Sequence, residues 1–305
     1  MRLFFLILAD DILPIFLVAS VGFVLARRLH VDVKSISRVT FNALAPCLVF
    51  TQLVTSRVGA GEFGRICAFT ILLVAAIGLA ARIVAVPFRL DRPQLMAFLI
   101  VVMFSNAGNY GLSVVLFAFG KEVLARAVIY FVTSALLVYS VGAVLASAGR
   151  RGLGAALRGL LRVPALWGLV AAALVIWTDV TLPTAVFRPI ELLGSAAIPI
   201  MLLVLGMQFE KGAWPERPGL VAAASALAIV GSPLIGYCLA PLLGLQGITR
   251  QAVLVEAAMP SAVITTILAL EFDVAPRFVT SVVVVTTLAS SVTVSLLIAL
   301  LKSGF

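Results

Sequence analysis

Charge is scarce in this sequence. Asp, Glu, Lys and Arg make up 11% of its 305 residues, while hydrophobic residues make up 63%. A soluble chain of this length needs far more charge to cover its surface, and no single water-facing core would consume so much apolar sequence. The bilayer is therefore the solvent. Histidine is scarcer still: His30 stands alone, in a basic connection where water reaches it, and leaves little material for imidazole acid–base chemistry. The three cysteines, Cys47, Cys67 and Cys238, all lie inside apolar runs. They lack metal-ligand spacing, and an odd number buried in helices builds no disulfide framework. They read as small apolar filler, and no metal site is expected. Also missing are HExxH, GxSxG, a P-loop and paired membrane aspartates. Neither an enzyme with catalytic residues and a cofactor nor an ATP-driven pump built from this chain alone is expected.

The net charge of +9 comes from basic residues in short connections between apolar runs, such as Arg27, Arg28, Lys34 and Arg38, then Arg150, Arg151, Arg158 and Arg162. That is cytoplasmic anchoring charge next to membrane lipid, not a stripe that binds nucleic acid. With the N-terminus outside, 14 of the 22 Lys and Arg fall on the cytoplasmic side. The opening MRLFFLILADDILPIF reads as the start of a spanning helix. Asp10 and Asp11 interrupt its apolar run, and no small-residue cleavage site follows.

A spanning helix needs about 20 mostly apolar residues. Ten segments approach that length: Asp10–Ala26, Ser37–Leu53, Phe63–Val86, Gln94–Phe119, Leu124–Ala146, Val163–Trp177, Thr184–Met207, Leu220–Leu243, Ile248–Leu270 and Arg277–Leu301. The first and sixth are the shortest. Run length and the lack of two-residue alternation favour helices over barrel strands. The basic stretch 149–162 divides the chain into five-helix halves, 1–148 and 163–305. The halves correspond: Pro14 with Pro164, Pro46 with Pro199, and Glu122–Arg126 with Asp273–Arg277, all separated by 150–153 positions. Several matches at one offset predict an internal duplication, and an odd helix count per copy predicts that the second copy is inverted.

The fourth segment carries Ser105-Asn106-Ala107-Gly108-Asn109-Tyr110-Gly111 in its middle. Two asparagines and two glycines at bilayer depth are costly in a plain helix. The glycines would let the backbone unwind, and the amides would satisfy it or bind a ligand. Tight helix packing through small residues is the alternative reading. The ninth segment carries Glu256-Ala257-Ala258-Met259-Pro260-Ser261, where Pro260 should break the helix. The duplication offset sets Asn109 opposite Pro260. Two such breaks aim half-helix N-termini at one mid-membrane point, which favours an anion. Glu256 is the one acidic residue clearly inside an apolar run; it is a candidate for coupling, or else a carboxylate near one interface. Arg126 and Arg277 read as helix-start anchors, and Trp167 and Trp177 as interfacial ones.

The Asn106–Gly111 motif, followed by Phe119-Gly120, resembles the Asn-x-Gly-Asn-x-Gly signature of the auxin efflux carrier (PIN-like) family. Ala258–Ala262 resembles that family's ninth-helix break, Gly194–Gly206 its seventh helix, and Phe41–Phe50 its second. The resemblance covers nearly the whole chain. It implies an all-α membrane fold of ten helices, two inverted five-helix repeats with crossed broken helices 4 and 9, similar to sodium/proton antiporters and bile-acid symporters. It also implies a homodimer with a scaffold of helices 1, 2, 6 and 7, and an elevator unit of helices 3–5 and 8–10. The substrate would be a small organic anion, and the short chain resembles bacterial members, which places it in the inner membrane. The implied substrate residues are Asn106, Gly108, Asn109, Gly111, Met259, Pro260, Ser261 and Ser134. Ser113 stands where the family often has proline, and Thr133-Ser134-Ala135 stands where plant members have an amide pair, so auxin itself is not implied. A sodium-coupled symporter of the bile-acid type and a non-transporting membrane sensor are the other readings. Sodium-dependent uptake would mark the first, and binding without flux the second.

Overall fold

The structure, a computed structural model, describes residues 2–56, 58–147, 159–209 and 217–303. Arg150, Arg151, Arg158 and Lys211, part of the expected cytoplasmic charge, lie outside the described residues. The elements are helices throughout: α1 (Leu3–Leu29), α2 (residues 33–55), α3 (Ala60–Phe88), α4 (Arg92–Met103), α5 (Ala107–Phe119), α6 (Lys121–Ala146), α7 (Pro164–Thr178), α8 (Thr184–Gln208), α9 (Pro218–Leu242), α10 (Gly247–Ala257), α11 (Val263–Phe272) and α12 (Pro276–Lys302). Among the described residues there is no β-strand, only one isolated bridge. Among the described residues six helices, α1, α3, α6, α8, α9 and α12, are long and apolar enough to cross a membrane by length and composition. The expected fourth segment is split into α4 and α5, and the ninth into α10 and α11.

Three helices contain a widened π-turn just ahead of a proline: Leu8–Ile12 before Pro14, Thr40–Leu44 before Pro46, and Leu227–Gly231 before Pro233. A proline has no N–H to give the carbonyl four residues back, and its ring strikes that carbonyl. The carbonyls concerned, on Asp10, Asn42 and Ile229, all lie in the widened turns, so the helix continues without breaking. The first segment is accordingly longer than the expected Asp10–Ala26. Its aspartates sit inside α1, where buried Asp11 accepts a 2.8 Å hydrogen bond from Lys302 at the end of α12.

Glycine brings two helix pairs to backbone contact. Gly22 of α1 lies against the Leu203 carbonyl of α8, and Gly206 of α8 against the Ala19 carbonyl of α1. Gly168 of α7 meets the Pro46 backbone of α2 in the same way. Hydrocarbon gives no hydrophobic drive between helices, so such close approach is how membrane helices gain packing energy. Buried side chains form two clusters. One joins α1, α2, α7, α8 and α10 with the facing parts of α3, α5, α6, α9 and α12. The other joins α4 with parts of α3, α6, α9, α11 and α12. The breaks in the fourth and ninth segments fall where the two clusters meet.

Candidate functional site

The two interruptions lie side by side. α4 ends at Met103, and Phe104 turns extended (φ −114, ψ 111). α10 ends at Ala257, and the chain stays non-helical to Ala262 (φ −70, ψ 134) before α11 begins. The linkers pair antiparallel at Ser105 and Ser261. The Asn106 N–H donates to the Pro260 carbonyl at 2.7 Å, and the Ala262 N–H donates to the Phe104 carbonyl at 2.8 Å. Each broken helix thus satisfies part of the other's freed backbone, which lipid could not do. The Ser261 N–H finds the Thr286 hydroxyl of α12 at 3.2 Å.

The first break is displaced from its expected place. Gly108 and Gly111 are not where the backbone unwinds. They belong to the π-turn Ala107–Gly111 that opens α5, and Gly111 is helical (φ −61, ψ −50). The interruption comes earlier, at Phe104–Asn106. The glycines are needed for space: a Cβ on Gly108 would lie 2.8 Å from the Phe131 ring of α6, and one on Gly111 would strike the Glu256 carboxylate. The residue that pairs with Pro260 across the crossover is Asn106, three positions before the Asn109 with which the duplication offset aligns it.

Around this crossover the structure gathers polar atoms without partners. Asn106 and Asn109 are each 5% exposed, Ser261 1% and Glu256 0%. Asn106 Nδ2, Asn109 Oδ1, Ser261 Oγ and both Glu256 oxygens have no hydrogen-bond partner. Buried polar groups are nearly always paired, since each unpaired one costs ~1–3 kcal/mol. So many at one spot leave donors and acceptors that a bound molecule could satisfy. Neither half-helix start, at Asn106 for α5 and Ala262 for α11, has a side-chain cap, so backbone donors add partial positive charge there. A small cavity of ≈ 10 Å³ behind the linkers is lined by Ser105, Tyr130, Ser232, Met259 and Ser261 among others. Ser134 is buried in α6, the helix that supplies Tyr130 to this cavity and Phe131 to Gly108. Glu256 is fully buried at the end of α10, against Gly111.

Sequence reading passed over Tyr110, which lies inside the motif, and Tyr130 and Ser232, which carry no local signal. It also passed over the partners of Arg126. That buried guanidinium donates to Glu62 Oε1 of α3 at 2.7 Å, to Thr249 of α10 at 3.3 Å, and to the Glu122 carbonyl of its own helix at 2.9 Å. Thr249 also donates to Glu62. Arg126 anchors a helix start, as expected, and ties α3, α6 and α10 into one block.

Comparison with known proteins agrees with the signature in α5. A family model described as a membrane transport protein matches residues 7–153 and 149–298. A protein of Methanothermobacter thermautotrophicus, described as an uncharacterized transporter, is 26% identical over 267 residues, covering 87% of this chain and 88% of its own length. Another uncharacterized transporter, from Methanocaldococcus jannaschii, is 26% identical over 217 residues, 68% of this chain and 69% of its own.

Proposed function

The chain belongs to the membrane transport protein family, that of the auxin efflux carriers, and on that premise we propose that it is a secondary carrier for a small organic anion such as a carboxylate. The observation that carries the reading is the crossover itself: paired helix breaks, two uncapped half-helix starts and a cluster of buried, unpartnered amide and hydroxyl groups. The side-chain Nδ2 groups of Asn106 and Asn109 and the Ser261 hydroxyl would donate to the anion, and the backbone about Gly108, Gly111, Met259 and Pro260 would approach it closely, with Ser134 on the flanking helix. Partial charges from helix starts suit an anion better than a full cation would, because the site must also let it go.

The chain would span the membrane ten times, as two inverted halves, and work as an elevator. The glycine-packed α1, α2, α7 and α8 form the scaffold. The Glu62–Arg126–Thr249 network lies wholly among the remaining helices, as a block that moves as one body requires. The Asp11–Lys302 ion pair crosses between the two units and must open if one slides past the other. We place the protein in a cytoplasmic membrane as a homodimer, N-terminus outside.

A thermal-shift screen of purified protein against small carboxylates tests the substrate class, because a ligand bound only by the native state raises its stability. A carboxylate that raises Tm in parent protein should do so far less in Asn109→Ala. Loss of one hydrogen bond to a charged ligand is typically ~1.5–3 kcal/mol, a ten- to hundredfold weaker Kd. Unchanged affinity would remove Asn109 from the site. For orientation, single cysteines at exposed His30 and Asp179, in a background lacking Cys47, Cys67 and Cys238, are treated with an impermeant maleimide in whole cells. Asp179→Cys should label and His30→Cys should not; the reverse pattern would invert the topology.

A further inference from the structure

Glu256 is fully buried, and neither carboxylate oxygen has a hydrogen-bond or ion-pair partner. A bare carboxylate cannot be kept in such a place, since the desolvation cost is many times any packing gain. It must be neutralised, and among the described residues the surroundings offer no protein cation to do so. On α10 itself, Arg250 stacks over Tyr237 of α9 at 4.8 Å. From α6, Arg126 is committed to Glu62 of α3 and to Thr249, at the opposite end of α10. Tyr130 of α6 and Tyr110 of α5 are neutral phenols, Cys67 of α3 and Cys238 of α9 are free thiols, and α12 has no charged side chain between Arg277 and Lys302. Among the described residues no group of three His, Cys, Asp or Glu could hold a metal, which disfavours a transition metal. Sodium, which oxygen ligands alone can hold, is the competing counter-charge, and the infrared test separates it from a proton.

We infer that Glu256 carries a proton, and that the proton crosses the membrane together with the organic anion. The inference rests on the proposed anion site at the crossover. An anion beside Gly111 would lie close to the Glu256 carboxyl. Two negative charges a few ångströms apart in a poorly screened interior repel strongly, so the anion binds well only when Glu256 is protonated. By reciprocity the bound anion holds the proton on. The O–H bond at Glu256 forms with a proton from water on the side where the anion enters, and breaks to water on the side where it leaves. The load carried is one proton with each anion.

The first test needs no substrate. Infrared spectra of the full-length protein in liposomes at neutral pH should show the C=O stretch of a buried protonated carboxyl. That band should vanish in Glu256→Gln, shift in Glu256→Asp, and ignore replacement of sodium by choline. A parent spectrum without the band, or a carboxylate band that moves with sodium, overturns the inference and points to a metal ion. The second test is malonate binding as a function of pH. Above the Glu256 titration, parent affinity should fall tenfold per pH unit relative to Glu256→Gln, which mimics the protonated form and should bind within about tenfold of the parent's best value. Glu256→Asp should keep the pH dependence. Parallel pH profiles in parent and Glu256→Gln would sink the coupling. Malonate binding to neither protein would count against malonate as a substrate, while the infrared band still decides the proton.

Discussion

Gly111→Val is expected to abolish anion binding, a loss of at least a hundredfold, or ~2.7 kcal/mol and more. Gly111 adopts ordinary helical angles, so backbone freedom is not what it supplies (φ −61, ψ −50). It supplies the absence of a side chain where the Glu256 carboxylate packs; even a methyl there would lie 2.8 Å from the carboxyl carbon. Valine forces Glu256 out of place or pushes α5 away from α10, and either change moves Asn109 and the linker it must work with. The cause can be isolated. Gly111→Ala should weaken binding in the parent and be nearly silent in a Glu256→Ala background, since the residue it strikes is gone. Equal effects in both backgrounds, measured by carboxylate binding to folded protein, would show that Gly111 matters for some other reason.

The second large effect falls on assembly. Gly206→Val should destabilise the folded protein at or beyond the upper end of the ~1–3 kcal/mol usual for overpacking. A Cβ there would meet the main chain of Ala19, and main chain cannot step aside as a side-chain tip can. α1 and α8 must separate, and the Gly22–Leu203 contact on the same seam opens with them. Gly64→Ala is the control. Nothing lies within 4 Å of its added Cβ, and alanine is the better helix former by about 1 kcal/mol, so Tm should hold or rise. A Gly206→Val protein as heat-stable as the parent would contradict the close packing of α1 on α8.

Much of this was legible from sequence because the physics was local. Low charge and long apolar runs gave the membrane class, and Pro260 gave the ninth-segment break. The Asn/Gly motif marked the right region of the fourth. Its break was placed a turn late because glycine signals freedom only where an unusual φ is used; here the glycines make room for Phe131 and Glu256, residues far off in sequence. The surroundings of Glu256 were hidden for a related reason: it lies where the first of two half-helices stops, and the Gly111 it packs against is far off in sequence. The Glu62–Arg126–Thr249 network joins positions 64 and 123 apart, which no local pattern predicts. Asp10 and Asp11 shortened the first segment on paper, since nothing near them announces Lys302 at the other end of the chain.

The account stands on one claim, that the paired breaks of the fourth and ninth segments form the anion site. Its most direct test is flux of radiolabelled carboxylate, the one that most raises Tm, into proteoliposomes holding parent, Asn109→Ala, Gly111→Val or Pro260→Ala protein at matched amounts of folded carrier. Pro260→Ala returns a backbone donor and allows α10 to run on through the linker, dismantling the crossover from the other side. The account predicts saturable flux in the parent, at least tenfold less in Asn109→Ala, and none measurable in the other two. Parent-like flux in all three would show that the Asn/Gly run only packs helices and that the anion crosses elsewhere.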